Sequence, residues 1–217
     1  MANSSVEQQL AQWREQQQQA AANAPRPPPN AITDSAGFGI RLLARLIDCI
    51  LGFFLGLASG CLFGIVMGIL QAMKVIEPDW QQRLQGINVV GFVLSFAGYL
   101  LYHTAAEGLY GASLGKLICG LRVISADRQP CGLRQAFLRS VAYLWDSLFF
   151  GAIAYVRMDK SELNQRSGDT WAKTVVVKAG SLPAEAARPL GMLFLGLGVG
   201  ITCWMLSTLL GLLLKVM

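Results

Sequence analysis

"VAYLWDSLFFGAIAYV", Val141–Val156, is the stretch on which the fold turns. It is apolar enough to enter a bilayer, but it falls short of the roughly 20 residues that crossing a hydrocarbon core requires, and it carries Asp146. If it crosses, the chain has four spans with both termini inside. If it dips in and returns, or lies in the interface, the chain has three.

The surrounding chain favours three. Leu46–Ala72, Gly86–Tyr102 and Leu190–Leu214 are each long enough, or nearly so, to span. Of the 217 residues, 53% are hydrophobic and only 14% charged, against about 25% charged in a soluble domain. The mean hydropathy is +0.45. On either side of Val141–Val156 lie two short strand-like segments, "LRVISA" and "TVVVK", the first followed by a "DRQP" turn. Lone strands need partners, so the two must share one side of the membrane. Charge agrees with this. With three spans, all of the 18 Lys and Arg except Lys74, Arg83 and Lys215 fall on the N-terminal side, which is the pattern of a cytoplasmic face. With four spans the basic 157–188 segment moves across and the asymmetry vanishes. The expected fold is therefore an all-α polytopic membrane protein: three full transmembrane helices, a re-entrant or interfacial hydrophobic segment, and a short cytoplasmic strand pair. Its expected place is a bacterial inner membrane, N-terminus in the cytoplasm. The net charge of +5 is read as membrane orientation, not nucleic-acid binding.

Residues 1–36 read as a disordered Gln- and Pro-rich tail, although Val6, Leu10 and Trp13 have helical spacing. Residues 37–178 form the membrane domain, 179–189 a linker, and 190–217 an additional C-terminal transmembrane helix. No cleavable signal is evident at the start. The cysteines, Cys49, Cys61, Cys119, Cys131 and Cys203, are odd in number and lack CxxC spacing, so neither a disulfide framework nor a metal site is expected.

The first span carries glycine at every fourth position: Gly52, Gly56, Gly60, Gly64 and Gly68. In water each would cost a helix about 1 kcal/mol relative to alanine. In lipid, small residues let helices approach closely, which is what holds them together. The row sweeps about 160° of the helix surface, more than one neighbour covers. Gly196, Gly200, Ser207 and Gly211 of the last span, Gly91 and Ser95 of the second, or another copy of the chain are the expected partners. Ala44 and Asp48 extend the row, turning Asp48 away from lipid.

An aspartate inside a span costs up to about 3 kcal/mol at the centre and needs compensation. Arg45, three residues earlier, is placed to pair with Asp48 on one face. Arg41, two turns away, is expected to meet a carboxylate from elsewhere. "RLLARLID" and "RSVAYLWD" share the pattern R-x-x-A-x-x-x-D, through Arg41, Ala44 and Asp48 and through Arg139, Ala142 and Asp146. They read as two copies of a parallel internal repeat.

These residues resemble the RDD family of bacterial membrane proteins. "GFGIRLLARLID" carries Arg41 and Asp48 at the family's arginine and first aspartate. "GASLGKLICGLRVISADRQP", with Gly111, Ser113, Gly115, Lys116 and Gly120, is similar to its G-x-[ST]-P-G-K segment, except that Leu114 replaces the proline. "QRSGDTWAKTVVV" places Asp169 on the second aspartate, with Ala172 and Thr174 matching the trailing A-x-T. The match covers roughly Gly37 to Lys178. It implies a polytopic domain for which solute or ion transport is the usual suggestion.

Chemistry of other kinds finds little footing. "GASLG" has the nucleophile-elbow spacing, but the one histidine, His103, precedes it. "SLGK" lacks the first glycine and the final Ser/Thr of a phosphate loop. Lys116 is expected at the lipid headgroups or paired with Asp127 or Asp169. Glu107, one turn beyond His103, leaves a proton relay open. No enzymatic activity and no cofactor is expected. The leading expectation is ion or small-solute transport, with Asp48, Asp169 or Asp146 and the arginines binding a proton or sodium ion in a homo-oligomer or with a membrane partner subunit. The alternative is a non-enzymatic assembly or adaptor module in which the same charges form a structural lock.

Overall fold

The computed structural model describes residues 7, 9–16, 32, 34–77, 79–86, 88–146 and 151–216. It divides into two units, 1–33 and 34–217. In the first, residues 9–16 are helical with Leu10 and Trp13 exposed, while Val6 and the proline run lie outside the described residues.

The second unit opens with α1 (Phe38–Ala72), a short α2 (Trp80–Arg83) and α3 (Val89–Tyr110). Then come α4 (Leu114–Ile118), β1 (Leu121–Ser125), α5 (Leu133–Asp146), α6 (Ala152–Asp159), α7 (Ser167–Trp171) and β2 (Thr174–Lys178). Two 3-10 turns lead into α8 (Leu190–Val216). Three helices, α1, α3 and α8, are long and apolar enough to cross a membrane. This is an all-α polytopic membrane protein.

β1 and β2 pair antiparallel about Val123↔Val176. That pairing answers the question posed by Val141–Val156, because it brings the chain before and after this stretch to one side. The described parts of the stretch lie in α5 and α6, neither of which is long enough to span. α5 is amphipathic in the inverted sense: Phe137, Leu138, Val141, Leu144 and Trp145 are exposed, while Arg139, Ser140 and Asp146 are buried. An exposed apolar face beside a buried charged one suits the edge of a bilayer. Residues 34–36, assigned to the tail by sequence, instead lie along β2. Ser35 bridges Val177 and the Ala36 N–H donates to the Val176 carbonyl at 2.8 Å.

Helix packing departs from expectation. The α8 glycines serve α3, not the α1 row. A Cβ on Gly200 would meet Tyr102 backbone at 3.0 Å, one on Gly211 would meet the Gly91 Cα at 2.6 Å, and Ser95 and Thr208 hydroxyls lie 3.1 Å apart. On α1 only Gly52 is so used, beneath the Trp204 ring; Gly56, Gly60, Gly64 and Gly68 have open space around them. The face that α1 buries runs through Ala44, Asp48, Ser59, Phe63 and Met67. These positions form two rows in steps of four, Ala44–Asp48 and Ser59–Phe63–Met67, set off from each other by eleven residues, so the buried face leaves the glycine row after Gly52.

The two ends of the bundle are built differently. Where α1 ends and α3 begins, Lys215 donates to the Leu84 and Gly86 carbonyls and Arg83 to the Val216 carbonyl. The opposite end holds the strands, α4 to α7, and most of the other charges of this second unit.

Candidate functional site

α4 with β1, and α7 with β2, are two copies of one hook. Each starts with an extended residue, Ser113 (φ −72°, ψ 170°) or Arg166 (φ −80°, ψ 172°), before a five-residue helix. A left-handed residue then turns the chain into a five-residue strand: Gly120 (φ 63°) in one hook, Lys173 (φ 51°) in the other. The second residue of each short helix is glycine, and against each glycine packs one R-x-x-A-x-x-x-D helix. The Gly115 N–H donates to Asp48 Oδ1 at 2.8 Å, and a Cβ there would strike the Ala44 carbonyl. The Gly168 N–H donates to Asp146 Oδ2 at 3.1 Å, and a Cβ there would meet the Ala142 Cβ at 2.9 Å. In each copy the small residue admits the hook and the aspartate accepts its leading N–H. The repeat expected from two octapeptides therefore extends to the hooks that they hold.

The charges pair differently from the expectation. Asp48, 1% exposed, does not meet Arg45. Its oxygens accept from the Ser113 hydroxyl at 2.6 Å, the Gly115 N–H and the Tyr102 hydroxyl at 3.3 Å. The three donors come from a sequence-distant helix cap and from α3, which a same-helix argument does not reach. Arg45 donates to His103 Nε2 at 2.6 Å and lies over the Tyr143 ring, 3.5 Å from its centroid. A guanidinium only donates, so Nε2 of His103 carries no proton and the ring is neutral.

Arg41 does meet a distant carboxylate. Its Nη1 donates to Asp169 Oδ2 at 2.6 Å. Arg139 donates from Nη1 to Asp169 Oδ1 at 2.5 Å and to the Thr174 hydroxyl at 2.7 Å, and from Nε to Glu107 Oε2 at 3.1 Å. Arg166 adds its N–H and Nε to Asp169. Lys116 donates to Glu107, so its partner is neither the headgroups nor Asp127 or Asp169. Burial alone would raise the Asp169 pKa; Arg139, Arg41 and Arg166 together outweigh it and hold the carboxyl well below the usual range. For Lys116, burial dominates over the attraction of Glu107 and, helped by Arg139 and Arg166, brings the ammonium down to about 8.

Glu107 is the hub that sequence reasoning undervalued. It is buried at 3% exposure and joins Lys116 and Arg139. An unpaired carboxylate inside an apolar helix was the available signal. Ser113 donates to Asp48, and His103 is occupied by Arg45. Between α1, α5 and α6 lies a cavity of about 350 Å³ that reaches both hooks. Arg41, Arg45, Asp48, Lys116, Arg139, Asp146 and Arg166 line it, with Phe38, Leu42 and Met158 as apolar wall.

The RDD family model matches residues 35–214. The chain belongs to the RDD family. The matched stretch includes α8, past the Lys178 limit reached by the motifs alone. Neither the curated proteins nor the solved structures contain a match. In this RDD protein the arginine and two aspartates of the resemblance, Arg41, Asp48 and Asp169, sit at one end of the bundle. Arg41 and Asp169 form an ion pair, while Asp48 holds the first hook. Leu114, standing where the motif has proline, is the first residue of α4, and its N–H donates to the Tyr102 hydroxyl at 2.9 Å.

Proposed function

We propose that this RDD protein moves a small ion or solute across the bilayer, with the cavity between its two repeat helices as the loading station. The observation that carries the reading is a set of four buried atoms without a partner among the described residues, on side chains lining that cavity: Arg41 Nε, Arg45 Nε, Arg139 Nη2 and Asp146 Oδ1. Buried polar groups are almost always satisfied, so four left open around one void point to an occupant. Repeat interfaces are where transporters commonly bind their solutes. The basic bias of this end supports its facing the cytoplasm of a bacterial inner membrane. Three spans are few for an alternating pathway, so a second copy or a membrane partner subunit completes it; the open row Gly56 to Gly68 supplies a face for close helix contact. Asp146, whose Oδ1 is free, is a better station for a proton or sodium ion than Asp48, whose oxygens are all engaged.

One observation favours the adaptor reading instead. Asp48 and Asp169 are so fully engaged that both serve to fasten hooks to helices, as a lock would. Both readings are non-enzymatic. Proton and sodium flux in liposomes separates them: flux in wild type that falls at least tenfold in a folded Asp146→Asn variant supports transport. Absence of flux from well-folded protein supports the adaptor.

A further inference from the structure

We propose that the cavity between α1, α5 and α6 binds a singly charged oxyanion carried on an apolar body. The proposal rests on reading this cavity as the loading station and names the class of its occupant. Around the cavity Arg41, Arg45, Lys116, Arg139 and Arg166 are cationic, while the carboxylates that line or back it are Asp48, Asp146, Asp169 and Glu107. His103 is neutral, so one positive charge stays uncompensated. Of the five, only Arg45 has no carboxylate partner among the described residues: it meets His103 and the Tyr143 ring, and its Nε is open. Arg139 is 1% exposed, spends Nε on Glu107 and Nη1 on Asp169 and Thr174, and has no partner at Nη2 among the described residues. Arg41 likewise lacks one at Nε.

An uncompensated buried guanidinium is costly, and the forked donors of arginine suit carboxylate and phosphate oxygens. A monoanion neutralises the cluster; a dianion over-neutralises it. Asp146 Oδ1, unpartnered in the same cavity, accepts a hydroxyl or ammonium next to the anionic group. The rest of the wall is apolar, through Phe38, Leu42, Ala154 and Met158, and fits a short hydrocarbon portion. Two sources offer this chemistry: the phosphodiester of an anionic phospholipid and a free organic carboxylate.

The test is calorimetric titration of the purified full-length chain in a neutral detergent with dihexanoyl-phosphatidylglycerol and with octanoate, using dihexanoyl-phosphatidylcholine and octanol as controls. Saturable binding at one site per chain, weakened at least tenfold by Arg166→Gln and by the cavity-filling Ala154→Phe, is the expected result. Thermal melting verifies that each variant is folded, and either variant alone suffices. Binding of phosphatidylglycerol only assigns the lipid source, and binding of octanoate assigns a free solute. If neither probe binds wild type, or the folded variants bind as well as wild type, the site is wrong. Binding without flux would retire the transport reading and leave the site; flux without anion binding would do the reverse.

Discussion

Tyr102→Phe and Leu114→Pro should be strongly coupled. The Leu114 N–H donates to the Tyr102 hydroxyl at 2.9 Å, and that hydroxyl donates to Asp48 Oδ1 at 3.3 Å. The second bond is longer than the 2.5–3.0 Å usual for O–H···O, so the first carries most of the energy. Removing the hydroxyl leaves the Leu114 N–H without a partner, a loss of about 1–3 kcal/mol. The ring's contacts with His103 and Trp204 survive in phenylalanine. Proline at 114 has no N–H to satisfy, and the position suits it: Leu114 opens α4 and Ser113 before it is extended. In the Leu114→Pro background, Tyr102→Phe should therefore cost about 1–2 kcal/mol less than in wild type. Reversible unfolding in mixed micelles of wild type, both single variants and the double gives the coupling directly. Additivity within about 0.5 kcal/mol would refute the idea that Tyr102 stands in for the proline the family motif carries.

Further predictions test the hooks, the charges and the helix faces. Gly115→Ala should lower the melting temperature more than Gly168→Ala, because its Cβ strikes the Ala44 carbonyl and lies 2.9 Å from the Asp48 carboxyl carbon, whereas the Gly168 Cβ meets chiefly the Ala142 methyl. Lys116 releases its proton near pH 8 when folded and near 10.4 when unfolded, so the unfolded chain binds more protons in between; stability should rise with pH over that window, and Lys116→Met should flatten the rise. The Asp169 carboxyl, held low by the arginines, contributes stability above about pH 4 that disappears as pH falls, a loss absent in Asp169→Asn by thermal melting. Gly200→Leu should dismantle the α3–α8 contact and lower the melting temperature, whereas Gly60→Leu should leave the melt unchanged and, if copies pack through that row, shift the oligomer seen by light scattering.

What the sequence disclosed about this site follows the range of the forces involved. Ala44 and the glycines share a row with Asp48, and that local periodicity suffices to place it on the buried side. Its partners were not legible: Ser113 and Gly115 lie more than sixty positions away, and nothing local distinguishes a carboxylate that caps another helix from one that pairs with Arg45. The β1–β2 pairing was legible through a constraint and not a propensity, since two orphan strands must share a side. Within the chain only Gly52 of the glycine row is used, against Trp204; Gly56 to Gly68 face open space, the side left for another copy of the chain. On α1 the buried face passes from Ala44 and Asp48 to Ser59, Phe63 and Met67, off the glycine row, while the α8 glycines meet α3 through their own register.

The two hooks match in backbone and oppose in charge, and that opposition is what makes the site. Counting from Gly115 and Gly168, Lys116 and Asp169 occupy the same place, one residue after each glycine. With a carboxylate in both places, the five cations would become four against five carboxylates, and the cavity would attract cations. With an ammonium in both, Arg41 and Arg139 would lose the carboxylate that they share. As it stands, Asp169 fastens both repeat arginines, and Lys116 is drawn to Glu107 on α3. Glu107 is then the acceptor for Arg139 Nε, while Nη2 of the same guanidinium stays free beside the cavity. A duplicated scaffold supplies the geometry twice; one inverted charge between its copies leaves the cluster one positive charge in excess, at the place where the copies meet.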